Sequence, residues 1–224
     1  MSVAVDLAVF TVRDDAFAIL MIERGQEPFR GRLALPGGFV EADENLDQAA
    51  ARELHEETGL DAADLHLEQL RAYGDPDRDP RPTRVVSICY LALMPDLPLP
   101  TAGGDARAAR WMAVDDVLGG PAEIAFDHRR IIGDAVERAR GMLEHSTVGT
   151  AFCADQFAIS DLRRVYEIVW GRRLDPGNFS RKVTGVDGFL VPTGEFSRDG
   201  GRPAALYRRG PATTLHPPLL RSTR

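Results

Sequence analysis

Three glutamates in one short segment constrain this chain more than any other feature of its sequence. Glu56 and Glu57 follow Glu53 by three and four residues, so on a helix all three carboxylates lie on one face. Apolar residues at helical spacing predict that helix over residues 47–58, and Gly59 supplies its C-terminal stop. Like charges placed in this way repel one another. A divalent cation turns that repulsion into binding, because Mg²⁺ prefers carboxylate oxygens. A solvated acidic helix face is the alternative interpretation.

The residues that precede this helix fit the same interpretation. Arg52 lies beside the acidic face and can pair with Glu44, which would fix the loop before the helix. Gly37 and Gly38 allow the backbone to turn tightly near a metal, where a side chain would not fit. We therefore include Arg52 and Glu44 among the candidate catalytic residues and Gly38 among the candidate metal-site residues.

The spacing of these residues forms a longer motif. Starting at Gly38, the pattern Gly-x5-Glu-x7-Arg-Glu-Leu-His-Glu-Glu-Thr-Gly-Leu resembles the Nudix box at all nine defining positions over 23 residues. The resemblance implies an α/β/α sandwich around a mixed sheet and hydrolysis of a nucleoside diphosphate linked to another group. It also implies that Glu56 and Glu57 hold Mg²⁺ or Mn²⁺ and that Glu53 is a metal ligand or the base that activates water. Which glutamate is the base stays open.

A polar loop over residues 74–82 contains three prolines and several charged residues. The loop and the strand after it resemble the corresponding region of ADP-ribose pyrophosphatases and their regulator relatives. Guanidinium groups pair well with phosphate, so Arg78, Arg81 and Arg84 are candidate ligands of a diphosphate. A polar turn with scattered charges is the alternative for each of them.

The last third of the chain has a different pattern. Two helices are predicted at residues 160–170 and 175–183, followed by short strands at 188–191 and 204–207. This is the order of elements in a winged helix-turn-helix. Its second helix would turn Phe179 and Val183 inward and read DNA with the opposite face. The candidate DNA-binding residues are Asn178, Ser180, Arg181 and Lys182 on that helix, with Arg198 and Arg202 on the wing.

The charge divides along the same boundary. The net charge of −7 argues against a nucleic-acid partner when it is taken as a single number. Residues 1–150, however, contain 15 basic and 27 acidic residues, whereas residues 151–224 contain 12 basic and 7 acidic residues. The basic segment can face phosphate. By pattern alone, a protein-binding or dimerisation module remains the alternative to a DNA-binding domain.

Segments around both C-terminal helices and the wing resemble the winged helix domain of the NrtR family of Nudix-related regulators of NAD metabolism, and the resemblance extends over residues 3–209. The short polar segment at residues 145–150 places the domain boundary, and we expect residues 211–224 to form a loose tail. The resemblance implies a Nudix domain at 1–150 and a winged helix-turn-helix domain at 151–210. It also implies a homodimeric repressor that binds operator DNA and senses ADP-ribose or a related nucleotide. Because the Nudix box is complete, hydrolase activity stays possible. The alternative is an Mg²⁺-dependent ADP-ribose pyrophosphatase, or another Nudix hydrolase, whose C-terminal domain serves dimerisation.

The remaining global features are those of an ordinary globular chain. Hydrophobic residues make up 44% and charged residues 27% of the sequence, which excludes a mostly disordered chain and a coiled coil. Cys89 and Cys153 lie far apart and form no ligand pair or disulfide framework. No apolar run reaches the roughly 18 residues that a membrane span needs, and the N-terminus lacks the basic region of a signal peptide. We expect a cytoplasmic protein with no membrane partner.

Overall fold

The computed structural model of this chain describes residues 1–59, 61, 66–95, 106–197 and 203–221. By its contacts the chain divides into two units. The first consists of Met1–Thr11 and Phe17–Arg138, and the second of Val12–Ala16 and Ala139–Arg224.

The first unit is built on a seven-stranded sheet. Its strands are β1 (Ser2–Arg13), β2 (Ala16–Arg24), β3 (Leu33–Ala34), β4 (Gly37–Phe39), β5 (His66–Tyr73), β6 (Val85–Leu93) and β7 (Ala106–Ala113). The main order is β3-β2-β1-β6-β5, while β4 pairs with β1 and β7 pairs with β2. The β1–β6 pair is parallel and the other pairs are antiparallel. The sheet is therefore mixed, as the Nudix resemblance implies.

Three helices accompany these strands: α1 (Leu46–Thr58) lies between β4 and β5 in the chain, and α2 (Val114–Gly119) and α3 (His128–His145) follow β7. The predicted glutamate-bearing helix is α1, one residue longer at its start. Asn45 and Gln48 form a reciprocal capping box at that end, and Gly59 ends the helix in the left-handed conformation with φ 71°. Ala50 and Leu54 are buried in one cluster with Val5 and Leu7 of β1. This packing holds α1 against the sheet, and the Glu53 and Glu57 side chains are buried beside the apolar cluster.

The second unit has the predicted order of helices and strands. A 3-10 helix (Thr147–Phe152) is followed by β8 (Phe157–Ala158), α4 (Ile159–Trp170), α5 (Pro176–Thr184), β9 (Leu190–Phe196) and β10 (Ala205–Arg209). The three strands pair in the order β8-β10-β9. The Asp175 carboxylate caps α5 by accepting from Asn178 N at 2.7 Å, and Pro176 occupies the first turn. The ring of Tyr166 on α4 lies 5.2 Å from that of Phe179 on α5 and joins the two helices.

The segment after β10 differs from the loose tail predicted for residues 211–224. Leu215 and Leu219 are buried, and their backbone N–H groups donate to His145 O at 2.8 Å and Glu144 O at 2.9 Å. The last carbonyls of a helix have no partner within the helix, so residues 211–221 supply partners for the end of α3. The prediction failed because these contacts join segments that are far apart in the sequence, where local patterns carry no signal.

Among the helices that the structure describes, none combines the length and the apolar character that crossing a membrane requires.

Candidate functional site

A cleft of about 460 Å³ lies beside α1 in the first unit. One side of it is lined by Glu53, Glu56 and Glu57, so the structure brings the three predicted carboxylates into one cavity. Other parts of its lining come from β4, from the end of β2 and from the polar loop before β6. The lining residues used below are Gly37, Gly38, Phe39, Arg24 and Arg81.

The two adjacent glycines of β4 bring backbone against the carboxylates. A Cβ atom on Gly38 would lie 2.1 Å from Oε1 of Glu53, which is closer than any side chain allows. Gly37 N donates a hydrogen bond to Oε2 of Glu57 at 2.8 Å, and a Cβ on Gly37 would lie 2.2 Å from Val5 O. Glycine at position 37 is therefore a steric requirement, whereas a side chain at position 38 would displace the Glu53 carboxylate.

Arg52 ties the carboxylates to the loop before α1. Its Nε and Nη2 atoms donate to the two carboxylate oxygens of Glu44 at 2.9 and 2.6 Å, which is the ion pair expected from the sequence. Nη2 also donates to Phe39 O at 3.1 Å. Nη1 donates to Glu53 at 2.7 Å and to Glu56 at 3.1 Å. One guanidinium therefore sets the positions of β4, the loop and two of the three glutamates.

The pKa values of these carboxyl groups differ with their surroundings. Burial raises the pKa of Glu57 to about 8 against the opposing hydrogen bond from Gly37, and the nearby Glu53 and Asp6 carboxylates add to the increase. Burial also raises the pKa of Glu53, while Arg52 opposes this effect. In contrast, hydrogen bonds from Arg52 lower the pKa of Glu44 to about 2. In the absence of a cation, the buried Glu53 and Glu57 carboxyl groups are therefore protonated more readily than exposed glutamates.

The carboxylate oxygens of Glu53, Glu56 and Glu57 are ligands that fit a hard divalent cation such as Mg²⁺ or Mn²⁺. The fit rests on two buried carboxyl groups with raised pKa values and on the missing Cβ at Gly38, which leaves Glu53 room against the backbone. As the side chains lie, no three His, Cys, Asp or Glu groups within the described ranges converge closely enough to hold a metal. Glu53 and Glu56 would have to turn from Arg52 towards a cation.

The three candidate arginines of the polar loop have different surroundings. Arg78 is buried, donates to both carboxylate oxygens of Asp127 at 2.8 and 3.2 Å and lies 3.5 Å from Asp6. Arg84 donates to Gly74 O at 2.6 Å and closes the loop. Arg81 pairs with Asp79 at 2.9 Å and lines the cleft. Of the three, Arg81 is therefore the one placed to meet a ligand there, whereas Arg78 holds the interior of the unit together.

Sequence reasoning missed Arg24. This last residue of β2 lines the cleft, and its guanidinium lies 4.8 Å from the ring of Phe126. No local pattern connects Arg24 to the Nudix box. His128, in contrast, is a helix-start residue: it begins α3, is buried, and accepts from Leu35 N at 2.9 Å through Nδ1.

The second candidate site is the outer face of α5. Asn178, Arg181 and Lys182 are exposed and Ser180 is half-buried, while Phe179 and Val183 are buried as predicted. Arg181 Nη2 donates to Asn178 Oδ1 at 2.7 Å, so these two side chains form one polar surface. Arg198 and Arg202, the two predicted wing residues, lie outside the described residues. The basic and amide groups on α5 have the chemistry that reads base edges and phosphates.

Comparison with known proteins connects both sites to one family. Residues 2–134 match the NUDIX domain family, and residues 149–209 match the NrtR DNA-binding winged helix domain family. The ADPR responsive transcriptional repressor NtrR of Acinetobacter baylyi is 32% identical over 206 residues, which is 91% of this chain and 80% of that protein. These matches confirm the predicted mixed α/β Nudix fold with a C-terminal winged helix domain.

Solved structures of NrtR from Shewanella oneidensis are similar to this chain. Shewanella oneidensis NrtR complexed with a 27mer DNA has a TM-score of 0.80 and 32% identity, covering 93% of this chain and 94% of that one. The NUDIX domain of Shewanella oneidensis NrtR complexed with ADP ribose has a TM-score of 0.56 and 35% identity, covering 62% of this chain and 88% of that one.

Proposed function

The chain belongs to the Nudix family and, within it, to the NrtR regulators, and on this premise we propose that it is an ADP-ribose-responsive transcriptional repressor. One observation carries the proposal: a single chain combines a carboxylate-lined cleft with an exposed polar and basic helix in a winged helix domain. A similar repressor is described as responsive to ADPR, and similar structures contain DNA or ADP ribose. The regulated genes would be those of NAD metabolism.

DNA recognition is assigned to α5 and the wing. Arg181 and Lys182 can contact guanine edges or phosphates, and Asn178 can pair with adenine. Ser180 adds a hydroxyl on the same face. Arg198 and Arg202 would contact phosphates from the wing. A homodimer would place two such helices about one helical turn, roughly 34 Å, apart on a palindromic operator.

Ligand sensing is assigned to the cleft of the first unit. Arg81 faces that cleft and is assigned to the diphosphate of ADP-ribose. Glu53, Glu56 and Glu57, with Gly38 beside them, would hold Mg²⁺ or Mn²⁺. A ligand that binds two states of a dimer with different affinity shifts the equilibrium between them. Such a shift would change the spacing of the reading helices and thereby the affinity for DNA.

A mobility-shift experiment on the upstream region of the chain's own gene tests this function. We expect the wild-type protein to shift that DNA at low salt, and ADP-ribose to change the apparent Kd by about 5-fold or more. Arg138→Gln provides a control, because Arg138 is an exposed arginine that pairs with Glu68 at 2.8 Å and is assigned to neither site. Absence of a shift, with or without ADP-ribose, contradicts the proposal. A shift that does not respond to ADP-ribose contradicts the sensing half.

The complete Nudix box supports a second function, hydrolysis of ADP-ribose to AMP and ribose 5-phosphate. Water would attack one phosphorus of the diphosphate, and one of the glutamates would accept its proton. The bond from that phosphorus to the bridging oxygen would break, so that the other phosphate leaves with the bridging oxygen. Glu53, Glu56 and Glu57 would hold the cation, which when bound neutralises diphosphate charge and lowers the pKa of water. Arg52 orients Glu53 and Glu56 through the hydrogen bonds described above.

Release of AMP in the presence of Mg²⁺ measures this activity. Glu56→Gln and Glu57→Gln should each reduce the rate by at least about 100-fold, as removal of a catalytic acid-base group does. If wild type and both variants release AMP equally slowly, the activity does not come from this cleft, and the chain acts as a sensor alone.

A further inference from the structure

Two arginines from different parts of the chain lie against one aromatic ring at the cleft. The guanidinium carbon of Arg24 lies 4.8 Å from the centroid of Phe126, and that of Arg81 lies 5.6 Å from the same centroid. Arg81 is also 5.1 Å from the ring of Phe39. Arg24 comes from the end of β2 and Arg81 from the loop before β6, so only the folded chain brings them together.

The backbone of Phe126, which carries this ring, has an unusual conformation. Phe126 has φ 52°, which a bulky residue rarely adopts and which persists where the surroundings impose it. Here the edge of Phe29 packs against Phe126 at 4.9 Å between centroids. The next residue, Asp127, is held by the buried guanidinium of Arg78 at 2.8 Å. The buried Arg78 thus fixes the segment that presents Phe126 to the two cleft arginines.

The two arginines differ in how far their charge is neutralised. Arg81 pairs with Asp79 at 2.9 Å. The Nε of Arg24 donates to Pro28 O at 2.8 Å, and within the described ranges no carboxylate forms an ion pair with Arg24. Burial, and then repulsion by Arg81, lowers the pKa of Arg24 against the opposing attraction of the nearby Asp79, Glu57 and Asp6 carboxylates. A guanidinium that is half-buried, repelled by another cation and exposed to a cleft is stabilised by an anion that enters there.

We propose that Arg24 and Arg81, supported by Phe126, form a two-point site for the diphosphate of the cleft's ligand. Arg24 thereby becomes a specificity-determining residue. The inference rests on the proposed ADP-ribose binding and deepens it. A diphosphate offers one phosphate group to each guanidinium and carries more negative charge than a monophosphate. The pair therefore favours an intact nucleoside diphosphate compound over a nucleoside monophosphate such as AMP.

Isothermal titration of the full-length protein with ADP-ribose and with AMP, in EDTA to prevent hydrolysis, tests this assignment. For Arg24→Gln we expect the affinity for ADP-ribose to fall about 10- to 100-fold, the effect of losing charge-assisted hydrogen bonds, and the affinity for AMP to fall by less than about 3-fold. Arg24→Lys keeps the charge without the planar fork and should give an intermediate loss. Arg138→Gln removes an exposed arginine that pairs with Glu68 at 2.8 Å and does not line the cleft, so this control should bind like wild type.

The outcomes separate this inference from the proposed function. If the wild type binds ADP-ribose neither in EDTA nor in Mg²⁺, the sensing function itself fails. If the wild type binds and Arg24→Gln binds equally well, the two-point site is wrong. A loss of affinity that is equal for ADP-ribose and AMP, accompanied by a lower melting temperature, would show that Arg24 has only a structural role and would also overturn the inference. A selective loss for ADP-ribose at an unchanged melting temperature supports it.

Discussion

Replacing Glu57 with glutamine should stabilise the metal-free protein, although it removes a proposed metal ligand. The Glu57 side chain is buried and its pKa is raised to about 8. As the pH rises above the ordinary glutamate value of 4.5, the unfolded chain ionises first. The folded state therefore loses stability until Glu57 itself ionises near pH 8. At about 1.4 kcal/mol per pKa unit, this difference amounts to about 4–5 kcal/mol by pH 9.

Glutamine should recover a large part of that loss because it carries no charge and still offers an oxygen to Gly37 N. We expect Glu57→Gln to gain about 2–4 kcal/mol at pH 8, and less than about 1 kcal/mol at pH 5, where the glutamate is protonated in the folded state. For a chain of this size the gain at pH 8 corresponds to a rise in Tm of about 5–10 °C.

Calorimetric unfolding in EDTA at pH 5 and pH 8 measures the effect. Glu56→Gln is the matched control, because Glu56 lies on the same helix face but its side chain is 52% exposed. Its stability should change by less than about 0.5 kcal/mol. Added Mg²⁺ should raise the Tm of the wild type and much less that of either variant. If Glu57→Gln is no more stable than wild type at pH 8 in EDTA, the reasoning from buried charge is refuted.

Three further predictions follow from contacts elsewhere in the chain. Gly38→Ala should weaken Mg²⁺ binding by about 10-fold or more, as disturbed ligand positioning does, because the alanine Cβ would displace the flexible end of Glu53. Titration calorimetry measures the affinity, and an unchanged circular dichroism spectrum shows that the fold is intact. Arg181→Ala should weaken operator binding, measured by fluorescence anisotropy, without changing the affinity for ADP-ribose. If Arg181 contacts a phosphate, the slope of log Kd against log salt concentration should fall by about one unit. Truncation after Gly210 removes the buried Leu215 and Leu219 and should cost about 3 kcal/mol or more in urea unfolding; an unchanged midpoint would contradict that packing.

The sequence alone predicted those features that depend on local spacing. Helix α1, its stop at Gly59 and the common face of its glutamates follow from residues within a few turns of one another. The inward direction of Phe179 and Val183 on α5 follows from the same helical period. The order of the two domains and the family were also predictable from the sequence. The Nudix motif lies within one uninterrupted stretch of the chain, and so do the helices and strands of the winged helix domain.

Tertiary structure alone decided which charged groups face the cleft and how they titrate. Arg78, Arg81 and Arg84 have the same side chain and lie in one short stretch, yet Arg78 is buried against Asp127, Arg84 closes its own loop and Arg81 lines the cleft. Arg24 joins Arg81 from a distant strand. The raised pKa of Glu57 likewise depends on burial by distant segments. Local periodicity specifies the face of a helix, whereas the partner and the solvent exposure of a charge depend on contacts between segments that are distant in the sequence.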